Sequence, residues 1–196
     1  MGIKLHVAWR DKPTRKGFSL IDSDGERSIT IIGERLSPNH NDDLDWATLN
    51  NMDGIFITAA DKEIFKKSRV AKTLCTTPRV GLNIINESKI FLDGLIGSNL
   101  DPGEVFSLDE LKLIPKYVIK TEGENGGIVF PGGRYEAIEN INNKVDSYGC
   151  GDSFAAGILY GLSSNWNIEE SINLAKILGR NCSEHFGPYK NGKNII

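Results

Sequence analysis

The sequence predicts an α/β fold, in which a mostly parallel sheet is flanked by helices on both faces. Short apolar segments alternate with helical ones from residue 54 onward, which is typical of βαβ units. Two amphipathic helical segments close the chain, and a glycine-bearing loop opens directly into the first of them. With 196 residues, 39% of them hydrophobic, the chain has the size and composition of one globular domain.

The first 36 residues are predicted to form a small antiparallel element. Three β-rich runs occur there, at residues 4–9, 17–22 and 27–33. Asp24-Gly25 separates the last two runs, and this dipeptide is a strong hairpin signal. We therefore predict antiparallel edge strands over residues 1–36 and an α/β core over residues 37–196.

Five strands are predicted in the core, at residues 54–59, 79–85, 91–97, 117–121 and 126–130. Helices are predicted over residues 62–74 and 107–114. Sheets of this kind bind ligands beyond the carboxyl ends of their strands.

The closing helices are predicted over residues 152–162 and 168–185. In the first of them, Phe154, Ile158 and Leu162 recur at i, i+4 and i+8, which indicates one buried face. Small side chains from Ala155 to Gly157 are expected to let this helix approach the sheet closely.

Charge and cysteine content exclude several classes of protein. The net charge of −3 is spread along the chain without a block of like charges, so no nucleic-acid partner is expected. No segment approaches the ~20 apolar residues that span a bilayer, so we expect a cytoplasmic protein without a membrane partner. Cys75, Cys150 and Cys182 fit neither a disulfide framework nor a zinc site, and Cys75 and Cys182 are predicted to be buried.

The most informative segment spans residues 146–157, where a glycine-bearing loop becomes a helix. Helix N-termini expose unpaired backbone amides and attract phosphate. Asp152 lies at this junction, where it could be a helix N-cap. The alternative is a general base, because a carboxylate beside an anion-binding loop is placed to accept a proton from an attacking hydroxyl. The two roles are compatible.

The run Asp-Ser-Tyr-Gly-Cys-Gly-Asp-Ser-Phe-Ala-Ala-Gly at residues 146–157 resembles the second signature of the ribokinase-like, or pfkB, carbohydrate kinases. The resemblance implies a three-layer ribokinase-like fold and ATP-dependent phosphate transfer to a hydroxyl of a sugar or nucleoside-like substrate. It implies that Gly149, Cys150 and Gly151 form an anion hole and that Asp152 is the base. It further implies Mg²⁺ and a monovalent cation near Asp146.

Cys150 occupies a position that alanine usually holds in this family. A thiol near a helix N-terminus is placed for a lowered pKa, and a redox-sensitive activity is one hypothesis. The alternative is a tolerated small side chain.

A second segment at residues 121–127, Thr-Glu-Gly-Glu-Asn-Gly-Gly, is on its own typical of a plain glycine turn. It is similar to the family's Thr-x-Gly-x-x-Gly segment, which contacts ATP. The resemblance implies that Thr121, Gly123 and Gly126 contact the nucleotide.

A third segment follows the strand predicted at residues 91–97. The family has Asn-x-x-Glu here, near the magnesium ion and the phosphates. In this chain Asn99 is followed by Pro102 at the expected glutamate position, and a glutamate comes only at Glu104. We expect Asn99 to contact the nucleotide, and we expect a shifted or water-mediated metal contact through Asp101 or Glu104, to which Asn99 could also contribute. The structural alternative is an Asp-Pro-Gly turn that caps the next helix.

Two functions follow from the resemblance. The first is a carbohydrate kinase, and the second is a non-catalytic nucleotide-binding relative. The second is favoured by the start of the sequence, which lies downstream of the family's N-terminal substrate-binding segment, so that the first strands resemble the family's lid. A sheet without its first strands exposes an edge, and we therefore expect a homo-oligomer or a companion fragment. A dinucleotide-dependent oxidoreductase is not supported, because no Gly-x-Gly-x-x-Gly follows the first strand.

Overall fold

The computed structural model describes residues 2–21, 27–138 and 145–187. It contains two separate sheets. The smaller sheet pairs β1 (Lys16–Ile21) with β2 (Arg27–Ile32) antiparallel, as predicted. The Asp24-Gly25 turn predicted between them lies outside the described residues.

The larger sheet has six strands in the order of the sequence: β3 (Gly54–Ile57), β4 (Thr73–Thr76), β5 (Gly94–Ser98), β6 (Tyr117–Thr121), β7 (Gly127–Phe130) and β8 (Gly133–Tyr135). The first four strands are parallel to one another, and β7 and β8 are antiparallel. The predicted mostly parallel sheet is confirmed.

In the described part of the chain, four α-helices cover the sheet: α1 (Lys62–Ser68), α2 (Leu82–Ser88), α3 (Cys150–Ser163) and α4 (Ile168–Ser183). One core joins α1 and α2 to side chains such as Leu74, Leu95 and Val118 of the central strands. The other joins α3 and α4 to side chains such as Ile96 and Ile119. Neighbouring residues of the same strands alternate between the two cores, so the molecule has the three layers of the predicted α/β fold.

Two helix–strand predictions in the core were wrong. The helix predicted over residues 62–74 ends at Ser68, where the Arg69 guanidinium donates to the carbonyls of Ala71 and Lys72 at 2.7 and 3.2 Å. The following residues form the fully buried strand β4 because burial between two layers favours β-branched side chains. The strand predicted over residues 79–85 is a 3-10 turn at Pro78–Val80 followed by α2.

Two further predictions differ from the structure. Residues 4–9 form no strand, and Leu5 and Trp9 are exposed. The helix predicted over residues 107–114 is a single 3-10 turn at Leu108–Glu110, and a Ser107–Glu110 capping box begins it. Pro115, which disfavours a longer helix, follows a few residues later. Strand β7 is antiparallel because the connection from β6 is too short for a crossover.

Helices α3 and α4 pack closely through small residues. A Cβ atom on Gly157 would lie 2.6 Å from the Cα atom of Ala175 in α4. The predicted buried face of α3 is present, since Phe154 and Ile158 are buried against the sheet. Gly157, however, contacts α4, whereas the sequence predicted that it would contact the sheet.

Cys75 and Cys182 are buried, as predicted, and all three cysteines are free thiols. Among the described residues, no helix has the length and apolar character that crossing a membrane requires.

Candidate active site

Three polar segments meet at the carboxyl edge of the parallel strands. Thr77 to Arg79 follow β4, Ser98 to Glu104 follow β5, and Thr121 to Gly126 follow β6. The amide of Asn99 donates to the carbonyl of Thr121 at 2.9 Å, which joins the second and third segments. This edge is where open α/β sheets bind ligands.

The N-terminus of α3 reaches the same edge. At its other end, the carbonyl of Ser163 accepts a hydrogen bond of 3.1 Å from Lys72, which precedes β4. The C-terminus of α3 therefore lies at the amino edge of the sheet, and its first turn lies at the carboxyl edge. The Phe154 ring stacks on Tyr135 at the end of β8, with ring centroids 6.0 Å apart.

The turn that opens α3 leaves backbone amides unpaired. Gly149 is the N-cap residue, with φ 86° and ψ −3°, a left-handed conformation that favours glycine. The amide of Cys150 donates to the carbonyl of Ser147 at 3.3 Å, and the Ser153 amide donates to Gly149 at 2.9 Å. Within the described part of the chain, the amides of Gly151 and Asp152 have no hydrogen-bond partner. Such amides bind anions.

This turn is open to solvent. Gly151 and Asp152 are exposed, while Gly149 and Cys150 are half-buried. A Cβ atom on Gly151 would have no neighbour within 4 Å. Among the residues that the structure describes, the Cβ position of Gly151 therefore faces open space.

Asp152 is the third residue of α3 and not its N-cap, so the capping alternative was wrong. Gly149 caps the helix instead, without a side-chain hydrogen bond. Asp152 still favours the helix from its first turn, through the positive end of the macrodipole. Its exposed carboxylate makes no side-chain hydrogen bond among the described residues, so it is available to accept a proton.

The loop before α3 is anchored on the end of α4. The amide of Val145 donates to the carbonyl of Ser183 at 2.8 Å. The Asp146 carboxylate accepts hydrogen bonds from the amides of Tyr148 at 3.0 Å and Gly187 at 3.1 Å. The Cys182 thiol donates to the carbonyl of Tyr148 at 3.4 Å. These contacts fix the approach of the chain to the glycine turn.

The predicted nucleotide segment after β6 forms a tight turn. The Thr121 hydroxyl donates to the carbonyl of Gly97 at 3.4 Å, and Gly123 and Gly126 have φ values of 61° and 77°. A Cβ atom on Gly126 would lie 2.8 Å from the Ala137 nitrogen and would also overlap the Tyr135 carbonyl oxygen. The turn itself therefore explains the glycine at position 126, as the plain-turn alternative supposed.

Asn99 is linked to this turn through Glu122. The Asn99 amide group donates to the Glu122 carboxylate at 2.8 Å, and Arg134 forms an ion pair with the other carboxylate oxygen at 2.7 Å. Hydrogen bonds, from Asn99 first and from Arg134 second, lower the pKa of Glu122. The structure thus brings together Asn99 and Thr121, which the sequence placed in separate motifs.

Asp101 and Glu104 both pair with Arg79, a residue that the sequence analysis did not single out. Arg79 donates from Nε to Glu104 and from Nη2 to Asp101. The other carboxylate oxygens accept from backbone amides, Glu104 from Ser98 at 2.7 Å and Asp101 from Gly103 at 2.8 Å. The predicted Asp-Pro-Gly turn is present, but Ser107 caps the following 3-10 turn.

These contacts do not fit a metal site formed by Asp101 and Glu104, because the positive charge of the Arg79 guanidinium already compensates the two carboxylates and would repel a metal ion bound between them. Across the described residues, no group of three or more His, Cys, Asp or Glu side chains could hold a metal ion. The signal that could have identified Arg79 is its place directly after a buried strand, at the edge where the other motifs end.

A cavity of about 520 Å³ lies at the end of β3, apart from the α3 turn. Its lining includes Arg35, Asn39, Asp61 and Lys62, and none of the residues 149–152. The Asp61 carboxylate caps α1 and accepts from His40 Nδ1 at 3.0 Å, so part of this lining is already paired.

The family model described as pfkB family carbohydrate kinase matches residues 103–191. The predicted resemblance to the pfkB family is confirmed. The pfkB segment contains the α3 turn, Thr121, Gly123 and Gly126, whereas Asn99, Asp101 and Arg79 precede it. No curated protein sequence matches the chain.

Solved structures of kinases share the fold of this chain. Arabidopsis thaliana ribokinase, complexed with ribose and ATP, is 22% identical with a TM-score of 0.69, over 90% of this chain and 65% of the ribokinase. A probable sugar kinase from Rhizobium etli is 21% identical with a TM-score of 0.67, over 90% of this chain and 62% of that one. Adenosine kinase from Schistosoma mansoni is 14% identical with a TM-score of 0.71, over 94% and 67%. The chain thus spans about two thirds of the length of these structures, and its fold is ribokinase-like.

Proposed function

We propose that the protein is an ATP-dependent phosphotransferase that transfers the γ-phosphate to a hydroxyl of a sugar or nucleoside-like substrate. The observation that carries this proposal is the open turn of α3, where two unpaired amides precede an exposed carboxylate. The turn lies within the segment that matches the pfkB carbohydrate kinases. The ribokinase and adenosine kinase of the same fold support the substrate class.

In this proposal the backbone of Gly149, Cys150 and Gly151 forms the anion hole. The amides at the N-terminus of α3 stabilise the negative charge of the transferring phosphoryl group together with the helix dipole. Gly151 has no side chain, and no described atom lies within 4 Å of the position that a Cβ atom would take. A phosphate oxygen can therefore approach the Gly151 amide without a steric barrier. Glycine costs a helix about 0.5–1 kcal/mol relative to alanine, and no packing contact of Gly151 offsets this cost.

Asp152 is the proposed general base. Its carboxylate follows the anion hole by one residue, so an acceptor hydroxyl between the two groups lies next to both. Accepting the proton as the oxygen attacks the γ-phosphorus is the role of the catalytic aspartate in kinases. Proton transfer of this kind contributes about 10²–10⁴-fold to the rate.

Asn99, Thr121, Gly123 and Gly126 are the proposed nucleotide contacts. They occupy two adjoining segments at the carboxyl edge, on the same side of the sheet as the α3 turn. The Arabidopsis ribokinase, whose fold this chain shares, is complexed with ribose and ATP, which supports ATP as the donor. Mg²⁺ would neutralise phosphate charge there, and we leave its ligands unassigned because Asp101 and Glu104 do not fit. A monovalent cation near Asp146 remains part of the proposal.

A nucleotide-binding protein without transfer activity is the second candidate. The observation that favours it is that the amides at the turn of α3 suffice to bind a phosphate group and need no bound acceptor. Phosphate transfer depends on positioning the acceptor against the γ-phosphate, and binding a nucleotide does not. The two candidates therefore share the α3 turn and differ in the need for Asp152.

The deciding experiment compares wild-type protein with Asp152→Asn on a panel of sugars and nucleosides with ATP. Glu169→Gln is the matched control, since it removes an acid from the first turn of α4. We expect Asp152→Asn to lose at least about 100-fold in phosphate transfer while it still binds ATP, and the control to keep full activity. Equal turnover of wild type and Asp152→Asn contradicts the assigned base. ATP binding without transfer on any acceptor supports the second candidate.

We also propose that the protein forms homo-oligomers through the sheet of β1 and β2. Phe18, Leu20, Ile29 and Ile31 of this sheet are 45–68% exposed. Apolar strands of this kind pair with other surfaces. Light scattering should show an oligomer that a Phe18→Ser/Leu20→Ser variant converts to a smaller species; a monomeric wild type contradicts this proposal.

A further inference from the structure

Arg79 is the cation that the fold places among the acids of the candidate site. It lies three residues after the end of β4, in a 3-10 turn. The Thr77 side chain caps this turn by accepting a hydrogen bond from the Arg79 amide. Its guanidinium pairs with Glu104 through Nε and with Asp101 through Nη2. The remaining amino group, Nη1, has no hydrogen-bond partner in the described part of the chain, and 56% of the side chain is exposed.

The two acids hold the guanidinium in a fixed orientation. Each carboxylate is itself fixed by a backbone amide, and only 10% of the Glu104 side chain is exposed. A guanidinium held on two sides keeps its planar fork in one position, so little side-chain entropy is lost when a further oxygen binds its free edge. Arginine bound in this way is suited to planar recognition of phosphate.

The charge of Asp152 also acts on Arg79. Burial on its own lowers the pKa of Arg79, but the hydrogen bond and charge of Glu104 and the charges of Asp101 and Asp152 outweigh it and raise the pKa. Arg79 follows β4 at the carboxyl edge of the sheet, and the first turn of α3, where the phosphate is proposed to bind, lies at the same edge. A cation there offsets the repulsion between the Asp152 carboxylate and the incoming phosphates.

We propose that Arg79 contacts the terminal phosphate of the nucleotide, and that Asp101 and Glu104 are positioning residues that hold its guanidinium and not ligands of a metal ion. This inference rests on the proposed function, because it places the nucleotide at the α3 turn. It assigns to Arg79 the preference for a nucleoside triphosphate over a nucleoside monophosphate.

The test measures the affinity of the protein for ATP and for AMP by calorimetry, with Mg²⁺ in constant excess. Arg79→Gln should weaken ATP binding by about tenfold or more, since hydrogen bonds to charged groups contribute about 1.5–3 kcal/mol, and should leave AMP binding within about twofold. Arg79→Lys should lie between Arg79→Gln and wild type, because lysine keeps the charge and loses the fork. Glu104→Gln should lower the ratio of ATP affinity to AMP affinity less than Arg79→Gln does.

The control is Arg69→Gln, which removes an arginine paired with Asp93 at 2.8 Å at the amino edge of the sheet. It should leave the ratio of ATP to AMP affinity unchanged even if it lowers stability. The ratio is insensitive to a partly unfolded sample, and Arg79→Lys provides the same test if Arg79→Gln does not fold. If wild type prefers ATP and both Arg79 variants keep that preference, the inference is overturned while the proposed function stands. Wild type that binds neither nucleotide contradicts the proposed function and the role of Arg79 with it.

Discussion

Gly97, at the end of β5, lies directly against Pro78, the residue that precedes Arg79. A Cβ atom on Gly97 would lie 2.8 Å from Pro78 Cγ and 3.2 Å from Glu104 Oε2. The absence of a side chain at this position therefore allows the segments after β4 and β5 to meet. The pairing of Arg79 with Glu104 depends on this approach.

Replacing Gly97 by alanine should displace both segments. Overpacking of this kind costs about 1–3 kcal/mol, and urea unfolding should show the loss. ATP affinity should fall as well, because Arg79 moves with Pro78. Gly17→Ala is the control, since its new methyl group would meet only Ile31 Cδ1 at 3.5 Å. Equal stability of Gly97→Ala and wild type would show that Pro78 can move without cost.

Two glycines of α3 should respond in opposite directions to the same substitution. Alanine is favoured over glycine in a helix by about 0.5–1 kcal/mol. Gly151→Ala meets open space and should keep or raise the unfolding temperature, whereas Gly157→Ala forces a methyl group onto Ala175 and should lower it. Thermal unfolding of both variants provides the comparison. A shift of the same sign in both would contradict the described packing of α3 on α4.

The ion pair of Arg10 with Asp42 should make stability depend on pH. The hydrogen bonds from Arg10, at 2.5 and 2.6 Å, are the largest influence that lowers the pKa of Asp42 below its ordinary value of 3.8. The pair therefore stabilises the fold above pH 3.8 and loses this effect as the pH falls through the lower pKa of the folded state.

Asp42→Asn measures this effect. Its unfolding midpoint in urea should lie below that of wild type at about pH 5, and the difference should shrink at about pH 3. A difference that stays constant over this range would mean that Asp42 is not ionised in the pair.

Cys150 should be replaceable, because the anion hole is proposed to be formed by the backbone of residues 149–151 and not by the Cys150 side chain. Its thiol donates to the Asp146 carbonyl over a long distance of 3.9 Å. Cys150→Ala should therefore keep ATP affinity within about twofold. Alkylation of Cys150 should weaken ATP binding sterically, and bound ATP should slow the alkylation. Unchanged turnover of the alkylated protein would contradict the redox hypothesis and this expectation together.

The layers of the fold could be predicted from the sequence because their signal is local. Tyr117–Thr121 is a strand with the predicted bounds, and α3 and α4 begin within two residues of their predicted starts. In each case the apolar pattern, the flanking residues and the burial agree. The glycine turn before α3 could be predicted for the same reason.

The region from Lys62 to Ile85 could not be predicted because burial there overrides local preference. Thr73–Thr76 continues an apparent helical pattern, but it lies between two helical layers and pairs with strands on both sides. Ile84 and Ile85 favour a strand by type, yet Pro78 and Gly81 start a turn and a helix before them. Contacts between distant segments decide these elements.

The partners of Asp101 and Glu104 were beyond the reach of the sequence for a different reason. The carboxylates of Asp101 and Glu104 predict a bound cation, and the resemblance to the family implied that this cation is Mg²⁺. Arg79 lies 22 residues before Asp101, and only the parallel register of β4 and β5 brings the two ends together. A side-chain cation therefore occupies the place where a metal ion was expected.

Helix α3 makes the candidate site part of the hydrophobic core. Gly151 in its first turn is exposed to solvent, while Phe154 and Ile158, which lie three and seven residues after Gly151, are buried against the sheet. A compound that binds the first turn of α3 should therefore stabilise the whole fold and raise its melting temperature. At a concentration 100 times its dissociation constant, such a compound adds about 2.7 kcal/mol. Melting curves over a library of phosphorylated metabolites would thus reveal the protein's natural ligand without an assay for turnover.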